Sequence, residues 1–314
     1  MSAGGSFAQT ASRGASGEAA GAARWRDAPY AAAVAPAGVL LGLFFVAPAV
    51  WAIAASLTDR TLLGVGATEP TFIGLDNYRR LWQDPDFWQI ARNTVVFVAG
   101  SAVIGQTGLG LLLALLLDHA RRAGSRLVPI AYAAVLSSWI TPPAVAGSIW
   151  GGLFEFRHGV VNEALKSVGM APVDVLGRFP MAAVVIADAW HGAAFAMVIL
   201  LGALRTVPPD VYEAARVDGA GAWRRFRDHT MPLIGHLLAI VLIMTTIVTS
   251  SSFLLIFAMT NGSTGLQTET LALFSFHRAF VDYEIGFAAA ISVVLLLANL
   301  ALSVLFLRVA RGDR

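Results

Sequence analysis

Hydrophobic positions fall into six long blocks along the chain, and polar segments separate them. The blocks predict membrane spans over Ala31–Ser56, Asn93–Leu117, Leu127–Leu153, Pro180–Leu204, Gly235–Met259 and Gly286–Leu307. A helix needs about 20 apolar residues to cross the hydrocarbon core of a bilayer, and every block reaches that length. The pattern therefore predicts an all-α polytopic membrane protein with six transmembrane helices.

Composition narrows the class of protein further. Of 314 residues, 57% are hydrophobic and only 13% are charged, whereas soluble domains carry about 25% charged residues. This balance excludes disorder and nucleic-acid binding as the main role of the chain. The sequence has no cysteine, so disulfides, thiolate metal sites and cysteine nucleophiles are excluded as well. We identify no catalytic residue, metal site or cofactor site from the residues.

The two ends of the chain and its charges predict an orientation. Residues 1–30 are rich in Ala, Gly and Ser and predict a flexible tail, followed by a membrane domain over 31–314. Lys and Arg concentrate on the cytoplasmic side of membrane proteins. With the N-terminus inside, the inner segments hold 14 of these residues and the outer loops hold eight. We therefore expect both termini to be cytoplasmic.

The polar segment 205–234, between spans four and five, predicts a short helix exposed to water. A proline pair stops span four, and Asp210 followed by Glu213 is typical of a helix start. Beyond two glycines, Trp223 and Phe226 stand beside several arginines. Such a surface suits close packing by another protein, and it equally suits a helix lying on anionic lipid headgroups. Composition alone leaves both interpretations open.

The spacing of residues in this segment resembles the EAA loop of bacterial ABC importer permeases. That pattern reads E-A-A-x3-G-x9-I-x-L-P, and the chain matches it at Glu213, Ala214, Ala215, Gly219 and Pro232. His229 and Met231 replace the usual Ile and Leu. The resemblance implies a coupling helix that sits in a groove of a separate ATPase, with Glu213, Ala214, Ala215, Gly219 and Phe226 forming the docking surface.

A partner ATPase also agrees with a missing nucleotide motif. A P-loop requires a Gly-Lys pair, and the single lysine of the chain, Lys166, follows Leu165. By the resemblance, ATP and Mg²⁺ are used by the partner, and this chain holds no cofactor.

Other segments resemble the carbohydrate branch of these permeases, the maltose, glycerol-phosphate and trehalose types, and specifically the F-type half of the pair. They are 72–82, 84–88, 159–162 and 259–270, with Ser263 and Thr264 departing from the usual Gly and Pro. The implied assembly is a heterodimer with a second six-span permease, an ATPase dimer and an extracytoplasmic binding protein or lipoprotein. The implied location is the bacterial inner membrane, with lipid around the spans and a sugar as substrate.

Polar side chains inside the spans are candidates for a substrate pathway. Asp188 and His191 are three residues apart on span four, with Trp190 between them, and span five carries hydroxyls that include Thr249 and Ser252. A carboxylate or imidazole can bind sugar hydroxyls, and an indole can stack on a sugar ring. The same groups can instead bond neighbouring helices. Two further functions stay open for Asp188 and His191: an acid–base pair in a membrane-embedded enzyme, or a proton relay in a secondary transporter.

Overall fold

The computed structural model describes residues 33–261 and 264–312. The predicted tail, 1–30, lies outside the described residues. The main helices are α1 (Ala33–Ser56), α2 (Asp76–Gln83), α3 (Phe87–Arg122), α4 (Val128–Ile140), α5 (Pro143–Leu153), α6 (Val160–Ser167), α7 (Pro180–Thr206), α8 (Pro209–Val217), α9 (Ala222–Ser250), α10 (Leu254–Thr260), α11 (Leu271–Phe280) and α12 (Ile285–Gly312). Across 33–261 and 264–312 there is no β-strand, only one isolated bridge between Thr58 and Phe72. The all-α prediction is confirmed.

Five of these helices are long and apolar enough to cross a membrane. They are α1, α3, α7, α9 and α12, and the bent pair of α4 and α5 gives a sixth crossing if it counts as one span. The chain divides into a unit that ends at Ala54 and contains most of α1, and a unit from Ala55 onward that contains the other helices. The second unit carries the candidate sites.

The third predicted span is not a single helix. It breaks between Ile140 and Pro143, and the two halves meet at an angle of 103°. Two consecutive prolines explain the break, because each lacks an N–H and a residue before proline prefers extended backbone. Thr141 and Pro142 are both extended, with ψ of 125° and 141°. The span predicted over Leu127–Leu153 is therefore two helices joined by a sharp bend and not one continuous helix.

The fifth predicted span, Gly235–Met259, is also interrupted. Helix α9 starts much earlier, at Ala222, and ends at Ser250, and α10 begins only at Leu254. The interruption falls in a run of serines, whose side chains compete with the helix for backbone hydrogen bonds. The two breaks leave α5 and α10 as short helices that pack together: Gly147 lies against the Leu255 carbonyl so closely that a side chain would not fit.

Small residues set the contact between α3 and α7. A Cβ atom added at Gly110 would lie 2.5 Å from the Cβ of Ala196, and one added at Gly105 would overlap Ala189. At Gly108 an added Cβ would have no neighbour within 4 Å among the described residues. Gly105 and Gly110 of the predicted second span thus bring α3 and α7 together, as expected for close helix packing in lipid.

Candidate functional site

The polar segment between α7 and α9 folds as a short helix. Helix α8 begins with Pro209 at its first position, and Pro208 precedes it without a side-chain cap. Proline suits this position because its missing N–H would be unpaired there anyway. Asp210 does not cap the helix, in contrast to the sequence prediction. It lies in the first turn instead, where a carboxylate interacts favourably with the helix dipole.

Gly219 ends α8 in a left-handed turn. Its φ is +72°, the Gly219 N–H donates to the Arg216 carbonyl at 3.0 Å, and the Ala220 N–H donates to the Ala215 carbonyl at 2.9 Å. These two bonds define a Schellman motif, which satisfies the last carbonyls of a helix. A residue with a Cβ would be strained at this φ by roughly 1–2 kcal/mol. The glycine of the motif therefore has a structural reason.

The predicted docking residues do not all reach the surface. Glu213, Ala214 and Gly219 are exposed. Ala215 is only 1% exposed, so its methyl group packs inward and its carbonyl holds the turn. Phe226 is half-buried, with its ring centroid 5.6 Å from that of Trp223. Helix α8 thus has one face exposed, with Glu213 and Ala214, and another face buried, with Ala215.

The base of α8 is tied to two transmembrane helices. The Arg122 guanidinium, at the end of α3, lies 4.8 Å from the centre of the Tyr212 ring. Asp118 accepts a hydrogen bond from Arg122 Nε at 2.6 Å. On the α9 side, the Thr230 hydroxyl donates to the Tyr212 hydroxyl at 3.3 Å. A displacement of α8 therefore acts directly on the ends of α3 and α9.

Asp188 lies inside the bundle and connects three helices. It is 3% exposed, and its Oδ2 accepts a hydrogen bond from Gln106 Nε2 at 2.8 Å. The same amide donates to the Thr249 hydroxyl at 2.8 Å. Gly192 leaves the room for it, since an added Cβ there would overlap the Gln106 amide. The network links α3, α7 and α9. This agrees with the alternative in which Asp188 bonds neighbouring helices and does not contact sugar.

Gln106 is the residue that sequence reasoning missed. The available signal was a lone amide within an apolar span, since a buried amide needs a partner. Among the described residues, Asp188 has no basic partner, and Gln106 supplies the hydrogen bond that a buried carboxylate requires.

His191 belongs to a different environment from Asp188. Its Nε2 donates to the Thr141 carbonyl at 2.9 Å, at the break between α4 and α5. The imidazole thus satisfies a carbonyl that the proline pair has released from the helix. Within the described residues, Asp188 and His191 bond different neighbours, so the arrangement does not form the acid–base pair considered from the sequence.

The remaining pathway candidates are Trp190, Ser252 and Thr249, and they differ in exposure. Trp190 is half-buried and meets Trp150 edge to face, with ring centroids 5.8 Å apart. Ser252 is half-buried in the gap between α9 and α10. Thr249, in contrast, is only 1% exposed and belongs to the Gln106 network. Trp190, His191 and Ser252 are thus partly exposed, whereas Asp188 and Thr249 are buried.

The 259–270 segment ends in a buried structural cluster. Thr268, Glu269 and Thr270 are all buried, and Glu269 bonds His277 Nδ1 at 2.8 Å. Burial raises the pKa of the Glu269 carboxyl, against the opposing effect of His277. Thr270 caps α11. Gly262 and Ser263 of the same segment lie outside the described residues.

Comparison with known proteins gives the family. The profile of the family described as "Binding-protein-dependent transport system inner membrane component" matches residues 88–312. The chain belongs to this family. It is accordingly an integral inner-membrane protein and the permease subunit of an ABC importer, and not an enzyme.

Two curated relatives cover most of the chain. One is the sulfoquinovosyl glycerol transport system permease protein SmoG of Agrobacterium fabrum, 32% identical over 282 residues, which are 88% of this chain and 89% of that protein. The other is the trehalose/maltose transport system permease protein MalF of Thermococcus litoralis, 34% identical over 250 residues, or 78% of this chain and 82% of that protein.

A solved structure shares the fold. It is a bacterial alginate ABC transporter in complex with alginate pentasaccharide-bound periplasmic protein, and the matched chain is 19% identical with a TM-score of 0.74. The match covers 92% of this chain and 96% of that one.

Proposed function

We propose that the chain forms half of the pore of an ATP-driven sugar importer, paired with a second six-span permease and driven by a separate ATPase dimer. The names of the relatives, which refer to sulfoquinovosyl glycerol and to trehalose and maltose, support a sugar or sugar derivative as substrate. The observation that carries the coupling role is α8. This helix ends at a glycine, lies between two transmembrane helices in sequence and exposes Glu213. The chain that carries it belongs to the permease family.

The orientation follows from the charges. The end of the chain's membrane unit that carries α8 also holds the arginine clusters at 121–126 and 224–227, and basic residues favour the cytoplasmic side. We place α8 and both termini in the cytoplasm. The binding protein would then dock on the opposite end, on the loops around α2 and α6. ATP and Mg²⁺ would be used only by the ATPase.

The coupling surface consists of an exposed part and a supporting part. Glu213, Ala214 and Gly219 would contact the ATPase. Ala215 and Phe226 would support this surface by packing under it, because Ala215 is buried and Phe226 is half-buried. The bonds from Tyr212 to α3 and α9 would carry the movement of the ATPase into the membrane helices.

The two helix breaks support a sugar pathway next to them. Transporters often build substrate sites from discontinuous helices, where unwound backbone supplies polar groups. His191 and Ser252 lie at the breaks, and Trp190 packs on Trp150 of α5. These three side chains would contact the sugar by stacking and hydrogen bonding. Asp188 and Thr249 would hold the three surrounding helices in register from behind.

A charge reversal at Glu213 tests the coupling role. We expect Glu213→Lys to abolish sugar uptake and ATPase co-purification while membrane abundance stays normal, because the side chain is exposed and bonds none of the described residues. Glu69→Lys is the matched control for ATPase co-purification and membrane abundance, because it reverses an exposed acidic residue outside the coupling loop. Normal uptake by Glu213→Lys would contradict the role of α8. Uptake that persists after ATP depletion would favour the secondary-transporter alternative.

A further inference from the structure

A cleft of about 220 Å³ lies beside α8, and its lining includes Tyr212 and Phe226 of the coupling region but not the exposed Glu213. It is bounded by the end of α3, the end of α7, α8 itself and the first turns of α9. Arg122, Arg216 and Arg225 line it together with a single carboxylate, Asp118. The cleft is therefore rich in positive charge.

The positive charge of the cleft is not neutralised by the residues that the structure describes. Asp118 already accepts hydrogen bonds from Arg122 at 2.6 Å and from Arg121 at 3.3 Å. Arg225 donates to the Ala220 carbonyl, which carries no full charge. Arg216 has no hydrogen-bond or ion-pair partner within 33–261 and 264–312. Two guanidinium groups thus lack a counter-anion, and arginine prefers the planar, bidentate geometry that phosphate oxygens offer.

The same cleft has an apolar wall. Leu115 of α3 and Leu204 of α7 line it, and so does Phe226. Both leucines belong to transmembrane helices, within about two turns of the helix ends at Arg122 and Thr206. A free anion needs only the arginines, whereas a ligand with a phosphate and an adjoining hydrocarbon part uses both walls. We propose that this cleft binds the phosphate of an anionic phospholipid such as phosphatidylglycerol.

The lipid site and the docking face occupy different sides of α8. Tyr212 and Arg216, one turn apart, line the cleft. Glu213 and Val217 lie on the next stripe of the helix, about 100° around its axis. An ATPase seated on Glu213 leaves the cleft open to the membrane. A bound headgroup would connect α3, α8 and α9 and restrict the movement of α8. The lipid would thereby regulate coupling, which goes beyond the proposed function.

The test measures retained lipid on the assembled transporter. The complete complex is reconstituted in nanodiscs of phosphatidylcholine and phosphatidylglycerol. After release from the discs, the lipid that stays bound is measured by native mass spectrometry. We expect Arg216→Gln to lower phosphatidylglycerol occupancy about fivefold, since one arginine near an anionic surface contributes about 1 kcal/mol. The matched control is Arg205→Gln. It removes an exposed arginine at the end of α7 that has no partner among the described residues and does not line the cleft.

Three results would overturn the proposal. The first is equal retention of phosphatidylglycerol by Arg216→Gln and Arg205→Gln. The second is stabilisation by a free anion. Inorganic phosphate, added to the complex in discs of phosphatidylcholine alone, would raise the thermal midpoint of the complex as much as phosphatidylglycerol in mixed discs does. This rise would require Arg216. The third is lipid that is retained by the permease pair and lost when the ATPase assembles, which would assign the cleft to a protein contact. None of these measurements depends on sugar uptake, so they are independent of the proposed function.

Discussion

The turn at Gly219 offers a test of coupling with a magnitude that the structure supplies. The residue has φ of +72°, and an added Cβ would have no neighbour within 4 Å among the described residues. Gly219→Ala therefore introduces backbone strain without a steric clash. The strain is roughly 1–2 kcal/mol, which lowers the population of the intact turn by a factor of about 5–30.

A proline at the same position should be more severe. Proline fixes φ near −65° and lacks an N–H, so Gly219→Pro loses both the left-handed turn and the hydrogen bond to Arg216. We expect Gly219→Ala to lower binding-protein-stimulated ATPase activity several-fold and Gly219→Pro to abolish it. Hydrogen exchange at the Ala220 amide, whose N–H bonds Ala215, should accelerate in parallel.

Gly221 is the matched control for this strain. It is two residues away, its φ is −65°, and an added Cβ would also meet open space in the part of the chain that the structure describes. Gly221→Ala should leave ATPase activity and exchange at the Ala220 amide close to the wild-type values, because alanine adopts this backbone freely. Equal losses in Gly219→Ala and Gly221→Ala would refute the backbone argument and favour direct contact at both glycines.

Two further predictions concern the membrane helices. Asp188→Asn should keep membrane abundance, since asparagine can still accept the hydrogen bond from Gln106. A neutral acceptor makes this bond weaker by about 1 kcal/mol and so loosens the helices beside the pathway, and transport assays should show an apparent sugar affinity changed about fivefold. A fall in abundance alone would leave Asp188 a purely structural role. Gly110→Ala should lower the thermal midpoint of the purified protein, because its Cβ would lie 2.5 Å from that of Ala196. Gly108→Ala, with no such neighbour, should leave it unchanged or raise it, and equal midpoints would contradict the packing of α3 on α7.

Local sequence rules were sufficient for the class of fold and for the turn. Membrane-spanning helices reveal themselves because lipid requires a continuous apolar stretch with internally bonded backbone. The end of α8 was indicated by two glycines, Gly219 and Gly221, and the structure shows that only Gly219 has a left-handed φ. The third predicted span contains prolines at 142 and 143, and a 103° bend was not expected there.

The partners of the intramembrane polar groups were decided only by the tertiary structure. Asp188 and His191 are three residues apart, and helical spacing placed them on one face. Yet Gln106, 82 residues before Asp188, bonds the carboxylate, while the carbonyl of Thr141, 50 residues before His191, receives the imidazole proton.

The same limit applies to the basic segment near α8. Spacing along the chain identified the arginines, but only the packing of α3 against α8 brings Arg122 to Tyr212 and makes a cleft beside Arg216. The periodicity of a sequence indicates which residues lie on the same face of one helix. Which residues of another helix they meet depends on how helices distant in sequence pack, and that was settled by close contacts such as Gly110 against Ala196.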